Sequence, residues 1–292
     1  MERLLLVMVL MVFIHLIITM NYSIRLAGLR TRRLLMAVSI FNIVYLLASV
    51  SSTLQAPLLT SMVEHAIKAG MAQVGTTVPA DQLIYQEAYR EQMAMLAGRI
   101  RLLIMASTVG TFVGAILTPA FVHIFTRAIQ LFEEVGSVTH MFMKLAFSFP
   151  LAPVKQSKRV LRNSLNSFLF WLRQKLMIPK TLLVANIVVN SIFTVGGVSA
   201  LYAGALFPDF RSTAMILSGI VTGTAVVIGA IVVEPKVSLI TDEAMRGDRG
   251  ETEVKQLTLY MVITRFLGTL FAQVIFLPVA VFIKLIVQFL AK

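Results

Sequence analysis

Apolar runs long enough to cross a bilayer recur six times along the chain, at roughly 4–24, 34–59, 101–125, 181–207, 213–233 and 257–290. A spanning helix needs about 20 mostly apolar residues, and each run meets that length. The last exceeds it, so Pro278 is expected to kink or end it and leave 279–290 as a shorter tail helix. The first run lacks a small-residue cleavage site and is followed by arginines, so it reads as a retained span.

Polar residues inside the runs repeat at helical spacing. The first carries His15, Thr19 and Tyr22; the second Ser39, Asn42, Ser49 and Ser52; the third Arg101, Thr108, Thr111 and Thr118. The fifth carries Ser218 and Thr222 on a line continuing through Ala225 to Gly229, and the sixth Arg265, Thr269 and Gln273 in two steps of four. Such stripes either line a common hydrophilic cavity or serve helix–helix packing in lipid. Gly110/Gly114 and Gly219/Gly223 form two G-x-x-x-G pairs, which suit close helix contact within one chain or in a homodimer. The fourth span holds Asn186, Asn190, Gly196, Gly197 and Gly204 and is expected to be irregular where it lines a cavity.

Two connections carry patterns of their own. Leu161, Leu165, Phe168, Leu172 and Leu176 recur at helical spacing with Trp171 among basic residues. This predicts an interfacial amphipathic helix near 160–178 lying against anionic membrane lipids, or else a helix packed on the protein's own loops. Segment 60–100 has Pro79 and Asp81, then a helical run through Tyr85, Tyr89 and Leu96 that projects beyond the bilayer into the third span. No internal repeat and no low-complexity tract is legible. The expected fold is therefore all-α, a polytopic integral membrane helical bundle forming a single transmembrane domain over 1–292.

Composition agrees: 58% of residues are hydrophobic and only 14% charged, against about 45–50% and about 25% in soluble domains. The formal net charge of +12 sits in loops between apolar runs, as the positive-inside rule produces, so no nucleic-acid partner is inferred. Loop 25–33 carries Arg25, Arg30, Arg32 and Arg33 without an acid, and 126–180 is likewise basic. These loops alternate with poorer ones, placing both termini outside the cytoplasm. Cysteine is absent, which removes disulfides, thiolate metal sites and thiol nucleophiles. The chain has no G-x-x-x-x-G-K-[ST], no H-E-x-x-H and no G-x-S-x-G, and its four histidines are dispersed. No cofactor, metal or catalytic residue is expected, and the chain is not read as an enzyme.

The charges within the apolar runs are the candidate chemistry. Arg265 lies about eight residues inside the last span, where an ionisable side chain costs about 2.5–3.5 kcal/mol on insertion scales and usually faces a bundle interior or cavity. The alternative is that it snorkels to the headgroups. Arg25 and Arg30 follow the first span, Arg101 opens the third, and a guanidinium binds two phosphate oxygens at once. Arg25, Arg30, Arg101, Arg265 and Gln273 are the candidate substrate contacts, with His15, Thr19, Asn42, Thr111 and Thr269 lining the polar path. Glu234, before Pro235, is either an ion carrier or simply interfacial.

The stretch from Ser23 through Arg25, Gly28, Arg30 and Arg32 to Arg33, then Phe41-Asn42-Ile43 and Gln55-Ala56-Pro57, resembles the Amj family of lipid II flippases. Asp209-Phe210-Arg211, the run from Glu234 to Asp242 and the run from Thr264 to Gln273 add to the resemblance, which covers most of the chain. It implies a multi-pass protein of the bacterial plasma membrane. The implied partner is lipid II, an undecaprenyl-pyrophosphoryl disaccharide-peptide carried from inner to outer leaflet for cell wall synthesis, in place of the flippase MurJ. Two rival readings are a membrane enzyme acting on a polyprenyl or lipid phosphate, with Glu234 or Asp242 as base, and a non-transporting scaffold for wall-synthesis enzymes.

Overall fold

The computed structural model describes residues 2–75, 78–79, 82–148 and 176–291. Nearly all of them are helical: α1 (Glu2–Thr31), α2 (Leu34–Val74), α3 (Glu87–Val135), α4 (Val138–Ser148), α5 (Lys180–Leu206), α6 (Arg211–Ile216), α7 (Ser218–Ile228), α8 (Glu234–Arg246) and α9 (Glu251–Leu290). Six helical segments are long and apolar enough to cross a membrane, and no strand occurs among the described residues. The polytopic all-α bundle expected from the hydropathy pattern is present. The interfacial helix near 160–178 falls almost wholly outside the described residues.

The helices overrun the apolar runs, because a helix continues into polar sequence until something stops it. The first span does not end at 24: α1 runs to Thr31, so Arg25 and Arg30 are helical, not in a loop. Gly28 lets the chain turn back sharply there, since a Cβ would stand 2.8 Å from Leu34 Cα. The second span continues to Val74 through Pro57, and the third begins at Glu87. Pro278 does not end the last span: α9 is one helix of 40 residues. A mid-helix proline forfeits one hydrogen bond, and a buried bundle tolerates that loss.

Irregular backbone lies in the fifth span, not the fourth. α5 is continuous over 27 residues. Residues 208–246 instead form a 3-10 turn, α6, α7, a five-residue π segment at Gly229–Val233, and α8. Glu234 therefore opens a new helix rather than closing the span.

The strongest packing is α1 on α3, α5 on α9 and α1 on α2, while α3, α9, α1 and α5 join the two groups. Gly110 and Gly114 explain the first pairing, since a Cβ there would lie 2.3 Å from Val12 O and 2.7 Å from Thr19 Cβ. An added Cβ on Gly219 or Gly223 would meet nothing within 4 Å, so among the described residues that second G-x-x-x-G brings no helix close.

Three ion pairs and a hydrogen bond gather all six span ends at one face. Arg25 meets Glu234 at 2.6 Å, Arg30 meets Glu251 at 2.9 Å and Arg33 meets Glu133 at 2.6 Å. Lys236 Nζ donates to Thr181 Oγ1 at 2.8 Å. Between α8 and α9, hydrogen bonds to Glu243 and then Glu253 hold the Arg249 guanidinium above its ordinary range. At the opposite end, Tyr89 donates to Ala205 O at 2.7 Å and Tyr202 to Met93 O at 3.3 Å, fastening the projecting start of α3 to α5.

Candidate functional site

Arg265 does not snorkel. It is 7% exposed and its three donor nitrogens each point at a different polar group. Nε donates to Thr19 Oγ1 at 3.2 Å, Nη1 donates to Asn190 Oδ1 at 2.5 Å, and Nη2 lies 3.4 Å from His15 Nδ1. The side chain thus leaves α9 and ties it to α1 and α5 together. Gly268, one turn on, makes this reach short, because α5 approaches until Asn190 Cβ would be 2.8 Å from an added Cβ.

The cluster extends sideways. Asn190 Nδ2 donates to Asn186 O at 2.7 Å, and Asn186 Nδ2 donates to Thr264 Oγ1 at 2.8 Å and Met261 O at 3.1 Å. Tyr22 Oη donates to Asn186 Oδ1 at 3.5 Å. No carboxylate among the described residues pairs with Arg265. Neutral dipoles therefore solvate a buried guanidinium whose charge is left uncancelled, an arrangement suited to an anion.

The other candidates divide. His15 and Thr19 belong to this cluster. Arg25 and Arg30 are carboxylate-paired at the basic end, on the same helix as His15. Arg25 also lies 3.4 Å from Ser238 Oγ. Arg101 and Gln273 form a reciprocal pair toward the opposite end, each side chain donating to the other's backbone carbonyl at 2.9 Å. The Arg101 guanidinium also sits 5.9 Å over the Phe276 ring. Thr111 and Thr269 are buried, but their hydroxyls turn back to Ser107 O and Phe266 O and so serve their own helices.

Asn42 and the whole second-span stripe of Ser39, Ser49 and Ser52 are exposed on the outside of the bundle. That stripe does not line a common interior. α2 instead buries Ala37, Ile40, Phe41, Ala48 and Gln55. A serine tolerates lipid because its hydroxyl bonds its own helix, as Ser39 does to Leu35 O at 3.0 Å. Asn186 and Asn190 were not among the candidate contacts. Two asparagines four residues apart within an apolar run were the available signal.

The fold and this cluster define a polytopic helical membrane protein with an unneutralised cation inside its bundle. Among the described residues no group of His, Asp or Glu is arranged to hold a metal ion. The chain belongs to the Amj family, described as Alternate to MurJ, whose model matches residues 10–287. A relative from Bacillus subtilis (strain 168) named Lipid II flippase Amj is 36% identical over 274 residues, covering 94% of this chain and 92% of the relative. No solved structure matches. The protein is a multi-pass protein of the cell membrane.

Proposed function

We propose that this chain is a lipid II flippase, carrying the undecaprenyl-linked peptidoglycan precursor from the inner to the outer leaflet of the bacterial cytoplasmic membrane. The observation that carries the reading is Arg265, a buried guanidinium with no carboxylate partner in a family whose relative bears the flippase name. Lipid II has a pyrophosphate, a disaccharide and a peptide on a polyprenyl tail. The tail stays in hydrocarbon while the head needs a polar route.

The basic end is the cytoplasmic mouth in this reading. Arg25 and Arg30 are engaged there by Glu234 and Glu251. An arriving pyrophosphate replaces a carboxylate on Arg25, an exchange of one anion for another, and frees Glu234. From there the head passes along α1 to Thr19, His15 and Arg265, and leaves past Arg101 and Gln273. Transport is favoured over catalysis because Glu234, the best-placed base for a lipid phosphatase, sits 2.6 Å from Arg25 and is held as its counter-ion.

The test is outer-leaflet lipid II in cells lacking other flippases, measured before and after depletion of this protein. Depletion is expected to leave the precursor on the inner leaflet. Undiminished outer-leaflet lipid II sinks the reading. Turnover of lipid II by the purified protein would put the enzyme reading in its place.

A further inference from the structure

The sequence shows no repeat, yet the packing has one. Matching the first span with the fourth, the second with the fifth and the third with the sixth maps each contacting pair of spans onto a contacting pair, although α2 packs on α3 more extensively than its image, the fifth span on α9. Within each half the first and third members pack most extensively, α1 on α3 and α5 on α9, and the first next packs on the second, α1 on α2 and α5 on α7. Between halves, α3 meets α9, a contact that maps onto itself. α1 meets α9, and its image is α3 on α5; α2 meets α5, and its image is α8 on α1.

The correspondence reaches single residues. A Cβ on Gly114 would lie 2.7 Å from Thr19 Cβ and 3.3 Å from Leu16 O, while one on Gly268 would lie 2.8 Å from Asn190 Cβ and 2.8 Å from Ile187 O. Both matches, Thr19 with Asn190 and Leu16 with Ile187, set the halves 171 positions apart. The same offset matches His15 with Asn186, and there Thr19 Oγ1 donates to His15 O at 2.6 Å as Asn190 Nδ2 donates to Asn186 O at 2.7 Å. A tight glycine turn follows the first span of each half, Gly28 against Leu34 Cα and Gly204 against Arg211 Cα. Three crossings is an odd number, so the second half traverses the membrane the opposite way up.

Arg265 sits where the halves meet, with Nε on Thr19 and Nη1 on its counterpart Asn190. Two ion pairs also join the halves, one toward each end of the bundle. Glu234, on the fifth span, pairs with Arg25 of the first half at 2.6 Å. Glu64, the counterpart of Glu234 on the second span and 170 positions earlier, faces Arg211 at the start of the fifth span at 4.0 Å, while the position matching Arg25 is Gly196. Around that looser pair lies a cavity of 140 Å³ lined by Thr60, Glu64, Gly204, Arg211 and Ser212 among others.

We infer that the six spans are two inverted-topology repeats of three helices which open alternately to the two membrane faces about an axis near Arg265. On the same inference, the Glu64–Arg211 pocket at the opposite end is the outward mouth and takes the same anionic headgroup that Arg25 meets on the inner side. Inverted repeats with a site at their interface are a recurrent basis for alternating access. The close inner pair and the loose outer pair place this structure with its inner side shut. The headgroup assignment rests on the flippase reading, whereas the repeat and its motion do not.

The native chain has no cysteine, so locks can be built on it. Leu26→Cys with Ala244→Cys, which share one apolar cluster, locks the inner side. Val63→Cys with Leu201→Cys, which line the outer cavity, locks the outer side. A Ser212→Cys reporter is exposed beside Arg211 and is labelled from outside with an impermeant maleimide. Oxidising the inner lock is expected to raise labelling several-fold, and oxidising the outer lock to lower it, both reversed by reduction.

Inorganic pyrophosphate is expected to slow labelling of the inner-locked protein, and Arg211→Ala to abolish that protection. Labelling that ignores the inner lock, or one molecule carrying both locks and still exporting lipid II, overturns the alternating repeat. Protection that is absent, or that survives Arg211→Ala, overturns the outer site. The labelling readout needs no lipid II, so its outcome stands apart from that of the depletion experiment.

Discussion

Charge inside lipid is costly, and at Arg265 the cost is met by dipoles rather than by a carboxylate. Hydrogen bonds to charged groups contribute about 1.5–3 kcal/mol, so removing this guanidinium from a phosphate should weaken headgroup binding roughly ten- to hundred-fold. Arg265→Ala is therefore expected to abolish export while the protein still accumulates in the membrane fraction, because the substitution also removes a desolvated charge. Arg265→Lys is expected to recover part of the export, since an ammonium keeps the charge but not the fork that spans Thr19 and Asn190. Full export by Arg265→Ala leaves the cluster a purely structural junction. Glu234→Gln tests the exchange of anions at Arg25, and export indistinguishable from the parent at every pH tried reduces Glu234 to an interfacial role. Much of this site was legible. His15, Thr19 and Arg265 stood out as polar residues in apolar runs. What the sequence lacked was the pairing of faces. Asn42 and Arg265 look alike as polar interruptions, yet one faces outward and the other reaches across to two other helices.

At the scale of helices, hydropathy located every span but not its ends. Lipid requires only that about 20 residues be apolar, whereas α3 continues for 49 residues, straight through Pro119, until Gly136 ends it in the left-handed region. The break in the fifth span was not legible either, since Gly219, Gly223 and Gly229 resemble the glycines of the fourth. Their surroundings differ. Gly268 is closed on by Asn190 and Ile187, and Gly219 by nothing within 4 Å. Gly268→Val is thus expected to push α5 from α9 at a cost of about 1–3 kcal/mol, typical of overpacking, seen as a lower melting temperature of the purified protein in detergent. Gly219→Ala should leave that temperature unchanged or slightly higher, as alanine is the better helix former by about 1 kcal/mol. Equal losses at both positions would mean that the α7 glycines are covered by something other than lipid, a second copy being the first candidate to test by its oligomeric state.

For the whole molecule, orientation and energy remain to be joined. Positive-inside logic puts the end bearing Arg25, Arg30 and Arg33 in the cytoplasm. Single cysteines at Arg30 and Asp248 should then be shielded from an impermeant thiol reagent in intact cells, and one at the exposed Gln73 should react. Labelling at position 30 from outside inverts the map. Given that orientation and the proposed flippase function, the anionic head of lipid II would move from a negative interior outward. This is downhill by about 2.3 kcal/mol per charge per 100 mV, provided that its counter-cation stays behind. Arg265 is bound to both halves of the bundle near their common axis and has no route to travel with the head. In the flippase reading the charge therefore crosses unaccompanied, and we propose that the membrane potential drives it. Collapsing the potential at constant pH is expected to slow export of the precursor by this protein in cells lacking other flippases. Export that persists without a potential but fails without a proton gradient transfers the coupling to a carboxylate, with Glu234, released from Arg25 when the headgroup arrives, as the residue to titrate.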